Sequence, residues 1–304
     1  MPVSFKAYNA QPGFTPDFLK VHDFFIKLNK PQVINEGFLW GRWEWMFSLR
    51  YLDTAYLNRI GIWEDKGEVV ALTTYEQTLG DVWFAVKPEY ARIKEEMLVY
   101  AKDNLSKDGK VRILIRDSDS NFQDIAAQYG FIPSQERECN AVIPLSEPFP
   151  SYTLPEGFRI VSLAEEMDLK RYNKVLWRGF NHKGEAPETE EDLNYRRLEL
   201  SGPHVDLNIK IAVAAPDGEF VAYCGMWYLP DTDYALVEPV ATDPEYRLMG
   251  LGRAAVLEGV KRCGSRGAKK AYVGSSQQFY YNIGFRPCST ETWWELRKKS
   301  PERG

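Results

Sequence analysis

Histidine and cysteine are scarce in this chain. Its 304 residues hold three histidines (His22, His182, His204) and four cysteines (Cys139, Cys224, Cys263, Cys288). No two cysteines form a C-x-x-C pair and no histidine stands at ligand spacing from one, so neither a disulfide scaffold nor a metal site is expected. Long apolar runs are also missing. None reaches the ~18 uncharged residues of a membrane-spanning helix, and candidates such as 220–230 are broken by polar groups. The opening residues Met1-Pro2-Val3-Ser4-Phe5-Lys6 lack a basic region followed by an apolar core, which argues against a secretory signal and for a cytoplasmic protein. No block of Lys or Arg stands out and the formal net charge is −5. Expected partners therefore include no nucleic acid and no membrane, and the balance mildly favours a cationic one. What remains is an ordinary globular composition, with 44% hydrophobic and 27% charged residues. At the usual ~100 to 200 residues per domain, such a length suits two domains better than one.

Three short matches recur in the same order in the two halves. Gly67-Glu68-Val69-Val70-Ala71 answers Gly218-Glu219-Phe220-Val221-Ala222, and Pro88-Glu89-Tyr90 answers Pro244-Glu245-Tyr246. Tyr129-Gly130-Phe131-Ile132-Pro133 answers Ile283-Gly284-Phe285-Arg286-Pro287. The offsets, 151, 156 and 154 positions, are close to half the chain and argue for an internal duplication. Between the halves, four prolines within 144–157 can sustain neither a helix nor an interior strand, so a linker is expected there.

In the second half, 159–163 reads as a strand, 168–179 and 188–201 as helices, 209–215 with 220–229 as a hairpin, and 234–241 as a further strand. The stretch 250–264 reads as a helix, with Val256, Leu257, Val260 and Cys263 on one arc and charged residues opposite. Further strands at 270–274 and 292–296 flank a short helix at 277–282, which makes the class α/β with a mixed sheet. Arg247-Leu248-Met249-Gly250-Leu251-Gly252-Arg253 thus joins a strand to a helix start, where free backbone N–H groups and the positive helix end suit a phosphate. A dinucleotide-binding Rossmann unit also uses G-x-G-x-x-A. That unit needs an acid about 20 residues on, and 269–278 contains none; its glycines also follow a first strand rather than a fourth or later one.

Arg247-x-x-Gly250-x-Gly252 instead resembles the R/Q-x-x-G-x-G/A loop of the GNAT superfamily of acyl-CoA N-acyltransferases, and Tyr280-Tyr281-Asn282-Ile283-Gly284-Phe285 resembles that family's tyrosine placed four residues before Gly-Phe. The resemblance covers about 159–297, with Val273 and Ser276 in place of the family's usual Asn and Ala. It implies two GNAT-like domains of α/β (α+β type), each a mixed, mostly antiparallel sheet flanked by helices. A non-catalytic, degenerate copy would occupy 1–146, a linker 147–157 and a catalytic copy 158–304. It further implies that acetyl-CoA is bound by Val240, Arg247, Leu248, Met249, Gly250, Leu251, Gly252 and Arg253, without a metal.

Acyl transfer to an amine needs a base, because an ammonium has no lone pair. Glu238, on the strand leading to the loop and expected on one face with Leu236 and Val240, is near the family's glutamate base. Its apolar neighbours are expected to raise its pKa, although a buried acid paired with an arginine is an alternative reading. Pro239 cannot join a ladder, so a bulge is expected that frees the Val240 N–H to stabilise an oxyanion. Tyr280 matches the family's general acid for the leaving thiolate, or else only packs under Phe285. With G-x-S-x-G absent and the cysteines unpaired with histidine, direct transfer in a ternary complex is favoured.

The acceptor would be a small-molecule or peptide primary amine. The acid-rich 185–199 and the side chains of Trp177, Phe180 and His182 are candidates for its pocket, beside dipole and core roles for the same groups. A CoA-binding sensor or scaffold without turnover is the competing reading, and a homodimer is left open. In the first half, Ala91, Lys94 and Glu96 stand where Arg247, Gly250 and Gly252 do, and Ala126 stands for Tyr280. That half is expected to bind no coenzyme, with Trp40, Trp43, Phe47 and Tyr51 in its core.

Overall fold

The protein is described by a computed structural model, which covers residues 3–30 and 32–297. The outermost parts of the expected domains, 1–2 and 298–304, lie outside those residues. The chain divides into two compact units: Met1–Phe47, Tyr51–Cys139 and Ser289–Gly304 in one, Ser48–Arg50 and Asn140–Cys288 in the other.

The first unit runs β1 (Ser4–Ala7), α1 (Pro16–Leu28), α2 (Trp40–Ser48), β2 (Gly61–Asp65), β3 (Glu68–Thr74), β4 (Asp81–Val86), α3 (Lys94–Asn104), β5 (Arg112–Arg116) and α4 (Ser120–Gln128), and opens β6 (Phe131–Pro144). Strands β1 to β4 form antiparallel neighbours, and β5 then joins β4 in parallel. Thr15 starts α1 by accepting the Phe18 N–H, with Pro16 at the first helical position where no N–H is missed. Trp40, Trp43 and Phe47 fill the core as expected, whereas Tyr51 lies beyond the end of α2 and is exposed.

The second unit contains β7 (Arg159–Ser162), α5 (Leu169–Gly179), α6 (Glu190–Glu199), β8 (Lys210–Ala214), β9 (Phe220–Tyr228), β10 (Tyr234–Thr242), α7 (Leu251–Gly264), β11 (Lys270–Val273) and α8 (Gln278–Asn282), and opens β12 (Arg286–Leu296). Strands β7, β8, β9 and β10 are successive antiparallel neighbours, and β11 joins β10 in parallel. Period-two alternation sends Ile211, Val213, Cys224, Met226 and Val237 to one face under Val256, Leu257 and Val260 of α7. Ala212, Ala214 and Tyr223 go to the other face, under Tyr172, Val175 and Leu176 of α5.

The expected boundary at 147–157 does not separate the two sheets. Residues Ala141–Pro144, expected in the first domain, pair antiparallel with β11 of the second unit. Residues Glu291–Glu295, expected in the second domain, pair antiparallel with β5 of the first. Each sheet is therefore completed by a strand segment from the other half of the sequence. Proline spacing cannot reveal this, because it marks where chain is irregular and not where a strand finds its partner. Among the described residues no helix is long and apolar enough to cross a membrane.

Candidate active site

Strand β10 carries the feature from which the site develops. Its register against β9 runs Leu236↔Trp227 and Val237↔Met226, then resumes at Val240↔Cys224. Glu238 and Pro239 together stand opposite the single residue Gly225, which is a β-bulge. The expectation of a bulge at Pro239 is thus met, with a consequence that alternation alone misses. Val240 does not share a face with Leu236. The inserted residue moves it to the side of Cys224 and Tyr280, where it packs against the α7-side core.

Two facts open the sheet there. The pairing of β10 with β11 extends only from Tyr234↔Lys270 to Leu236↔Tyr272, so the two strands part just before the bulge. Asp243 N–H bonds the Val221 carbonyl at 2.9 Å, and an antiparallel ladder alternates its hydrogen-bonding direction. By that alternation the Ala241 N–H faces β9, while the Val240 N–H points away from it into the gap.

At the head of the gap lies α7. Helices α5 and α6 are capped by side chains, Asp168 accepting from Lys170 N and Arg171 N and Thr189 from Asp192 N. Helix α7 has no such cap: Gly250, with φ +81°, precedes it, and the first-turn N–H groups are left to whatever occupies the cleft. A Cβ on Gly250 would meet nothing within 4 Å, so the loop faces open space. Leu248 also has positive φ and is fully exposed. The Arg247 guanidinium donates to Thr242 O (3.2 Å), Gly179 O (3.0 Å) and Asn181 Oδ1 (2.9 Å), tying the end of α5 to β10. Arg253 donates to the carbonyls of Ser151 (2.9 Å) and Asn282 (3.1 Å).

The resulting cleft holds about 670 Å³ and is lined by Phe180, Val240, Arg247, Gly250, Phe279 and Tyr280, among others. An uncapped helix start, an unobstructed glycine and an unpaired strand edge fit the pyrophosphate and extended arm expected of acetyl-CoA. Tyr280 is buried, its ring edge-on to Phe279 (5.0 Å) and Phe285 (5.6 Å). Burial first, then the nearby Cys224 and Glu238, push its hydroxyl well above the usual tyrosine range, so the phenol keeps its proton at neutral pH. Burial likewise raises both thiols of this core, that of Cys263 to about 12, which leaves them poor nucleophiles.

The other candidates separate. Phe180 lines the cleft, but Trp177 and His182 stack on each other at 4.5 Å outside it, and the Trp177 indole donates to Gly184 O. The structure therefore does not bring these three into one pocket. The acids of 185–199 are largely engaged: Glu188 with Lys170, Asp192 with Arg50, and buried Glu199 with Arg196. Asn181, Thr242, Phe279 and Asn282 line the cleft without having been expected there. Only Asn181 left a readable signal, since asparagine just past a helix end favours the left-handed conformation it adopts here (φ 60°).

The first unit shows the corresponding place closed. Strands β4 and β5 pair only at Asp81↔Arg112 and Val82↔Ile113 before parting. The segment Pro88–Ile93 continues as a 3₁₀ helix straight into α3, so no open loop precedes that helix. Lys94 Nζ lies 2.5 Å from Asp119 Oδ2 and over the Phe122 ring, and only about 110 Å³ remains. Glu96 accepts the Trp63 indole N–H at 2.7 Å.

Comparison with known proteins bears on the fold. Residues 170–285 match the acetyltransferase (GNAT) family. A tandem GNAT protein from the clavulanic acid biosynthesis pathway superposes with a TM-score of 0.62 at 13% identity, over 98% of this chain and 100% of that one. A GCN5-related N-acetyltransferase from Sphaerobacter thermophilus gives 0.58 at 16%, over 98% and 97%. A GNAT-family acetyltransferase from Colwellia psychrerythraea gives 0.56 at 10%, over 98% and 100%. At these identities the likeness establishes the fold. No curated protein matches the chain.

Proposed function

We propose that this protein, whose residues 170–285 match the acetyltransferase (GNAT) family, moves an acetyl group from acetyl-CoA to a primary amine by direct attack. The observation that carries this reading is the continuity of one cleft from the uncapped start of α7, past Val240, to Tyr280. The N–H groups of 250–253 bind the pyrophosphate, and the parted edge of β10 takes the extended arm.

Glu238 accepts the proton of the incoming ammonium, directly or through water, and frees its lone pair. As the C–N bond forms, the Val240 N–H stabilises the oxygen on which charge develops. The C–S bond then breaks, Tyr280 gives its proton to the departing thiolate, and the surplus proton on the former amine nitrogen passes through water to restore the Tyr280 hydroxyl. The acceptor, a small molecule or a peptide, approaches from the face of Glu238. The acids of 185–199 take no focusing role here, because Glu188, Asp192 and Glu199 are engaged by Lys170, Arg50 and Arg196.

Thiol release from acetyl-CoA across a panel of primary amines tests the reading, with calorimetric titration of CoA beside it. Turnover with any amine supports it. Binding without turnover supports a CoA sensor or scaffold, and absence of CoA binding removes the site.

A further inference from the structure

The bulge at Glu238-Pro239 is braced from below by residues with no part in the chemistry proposed above. Pro239 brings no N–H, so the Glu238 carbonyl is the polar handle of that peptide. The Trp227 indole N–H donates to it at 2.9 Å. Trp227 is itself only 2% exposed, and the ammonium of Lys210 sits 3.6 Å from its ring centroid. Lys210, also 2% exposed, donates to the Met226 carbonyl at 2.9 Å.

A buried ammonium is costly unless its surroundings compensate, and a carbonyl together with a π face provides compensation here. A cation on the ring also draws electron density from the indole and strengthens its N–H as a donor. Gly225 completes the support: a Cβ there would fall 2.5 Å from the Glu238 oxygen and 2.8 Å from Pro239 Cδ, so the bulge can settle only over a glycine.

These groups act at a decisive place. The bulge alone separates the face of Leu236 from that of Val240 and turns the Val240 N–H into the cleft. We propose that Lys210 and Trp227 are positioning residues that aim the Val240 N–H at the acyl carbonyl by holding the Glu238 carbonyl. The proposal rests on the acyl-CoA reading of the cleft. It predicts a carbonyl-specific effect that a merely structural tryptophan would not produce.

The experiment uses the full chain, with CoA and with the unreactive analogue bearing an amide in place of the thioester. The wild-type protein is expected to bind the analogue about tenfold more tightly than CoA, the ratio one hydrogen bond supplies. Trp227→Phe keeps the ring over Lys210 but removes the donor. It should reduce that preference to within about twofold and leave CoA affinity unchanged. Gly225→Ala, whose new Cβ would push directly on the Glu238 carbonyl, should give the same result and decides the matter if Trp227→Phe does not fold. A preference retained in the variants, equal loss for both ligands, or no preference in the wild type overturns the proposal. Failure of the wild type to bind CoA at all overturns the acyl-CoA reading itself.

Discussion

Gly252 packs so closely on β10 that a Cβ added to it would lie 2.7 Å from Thr242 Oγ1 and 3.4 Å from the Phe279 ring. The two glycines of the loop therefore have different tasks. Gly252 lets α7 lie against the sheet, while Gly250 keeps the cleft clear and adopts a left-handed conformation. Gly252→Ala should lower stability by about 1 to 3 kcal/mol through overpacking. Gly250→Asp should fold, because aspartate tolerates positive φ, yet weaken acyl-CoA binding by tenfold or more, by placing a like charge beside the pyrophosphate. Thermal unfolding and calorimetry read the two effects. Unchanged coenzyme affinity in folded Gly250→Asp would remove the loop from the binding site.

Tyr280→Phe should lower kcat about 10² to 10⁴-fold with little change in acyl-CoA affinity, since the ring contacts stay and only the proton is lost. The pH dependence follows from the direction of the shift. A raised hydroxyl pKa means the acid form persists well into the alkaline range, so no alkaline fall in rate assignable to Tyr280 should occur below about pH 10, the ordinary tyrosine value. A wild-type limb in pH 8 to 9 that disappears in Tyr280→Phe would contradict this assignment.

Glu238→Gln should act on the other proton. Without an acceptor, the reaction depends on amine already neutral in solution, so the variant's rate should climb with pH toward the pKa of the acceptor, ~10.4 for a lysine-like amine. Rates measured from pH 6 to 10 show the difference as a ratio to wild type that narrows with increasing pH. A constant ratio would place the base elsewhere.

Local signals were legible from the sequence, and partner choice was not. The glycine loop, the hairpin of β8 and β9 and the bulge-forming Pro239 each depend on properties of a few consecutive residues. The side of the sheet taken by Val240 depends on how many residues stand opposite Gly225, which a period-two reading of β10 cannot know. The exchange of Ala141–Pro144 and Glu291–Glu295 is likewise a matter of pairing, since either stretch would suit either sheet by alternation. Trp177 and His182 misled for a related reason. Trp177 lies in the last turn of α5 and His182 just beyond it, near the expected pocket, and they found each other instead.

The duplication yields the last prediction: acyl-CoA should saturate at one equivalent per chain, although both units part their parallel strands after two or three paired residues. A pyrophosphate needs converging N–H groups and space. In the second unit an open loop with Gly250 provides both. In the first, the 3₁₀ turn of Pro88–Ile93 runs without a break into α3, and Lys94 closes the space by pairing with Asp119. The test belongs in the full chain, because the first sheet includes Glu291–Glu295 and a fragment ending near residue 146 would lack that strand. Lys94→Gly with Asp119→Asn removes the plug but leaves the 3₁₀ turn, so it should still bind a single equivalent. Gly250→Asp, in contrast, should weaken that one equivalent by tenfold or more. Two equivalents in the wild type, or one surviving at full affinity in Gly250→Asp, would show that the first unit holds coenzyme and that its closed geometry opens in solution.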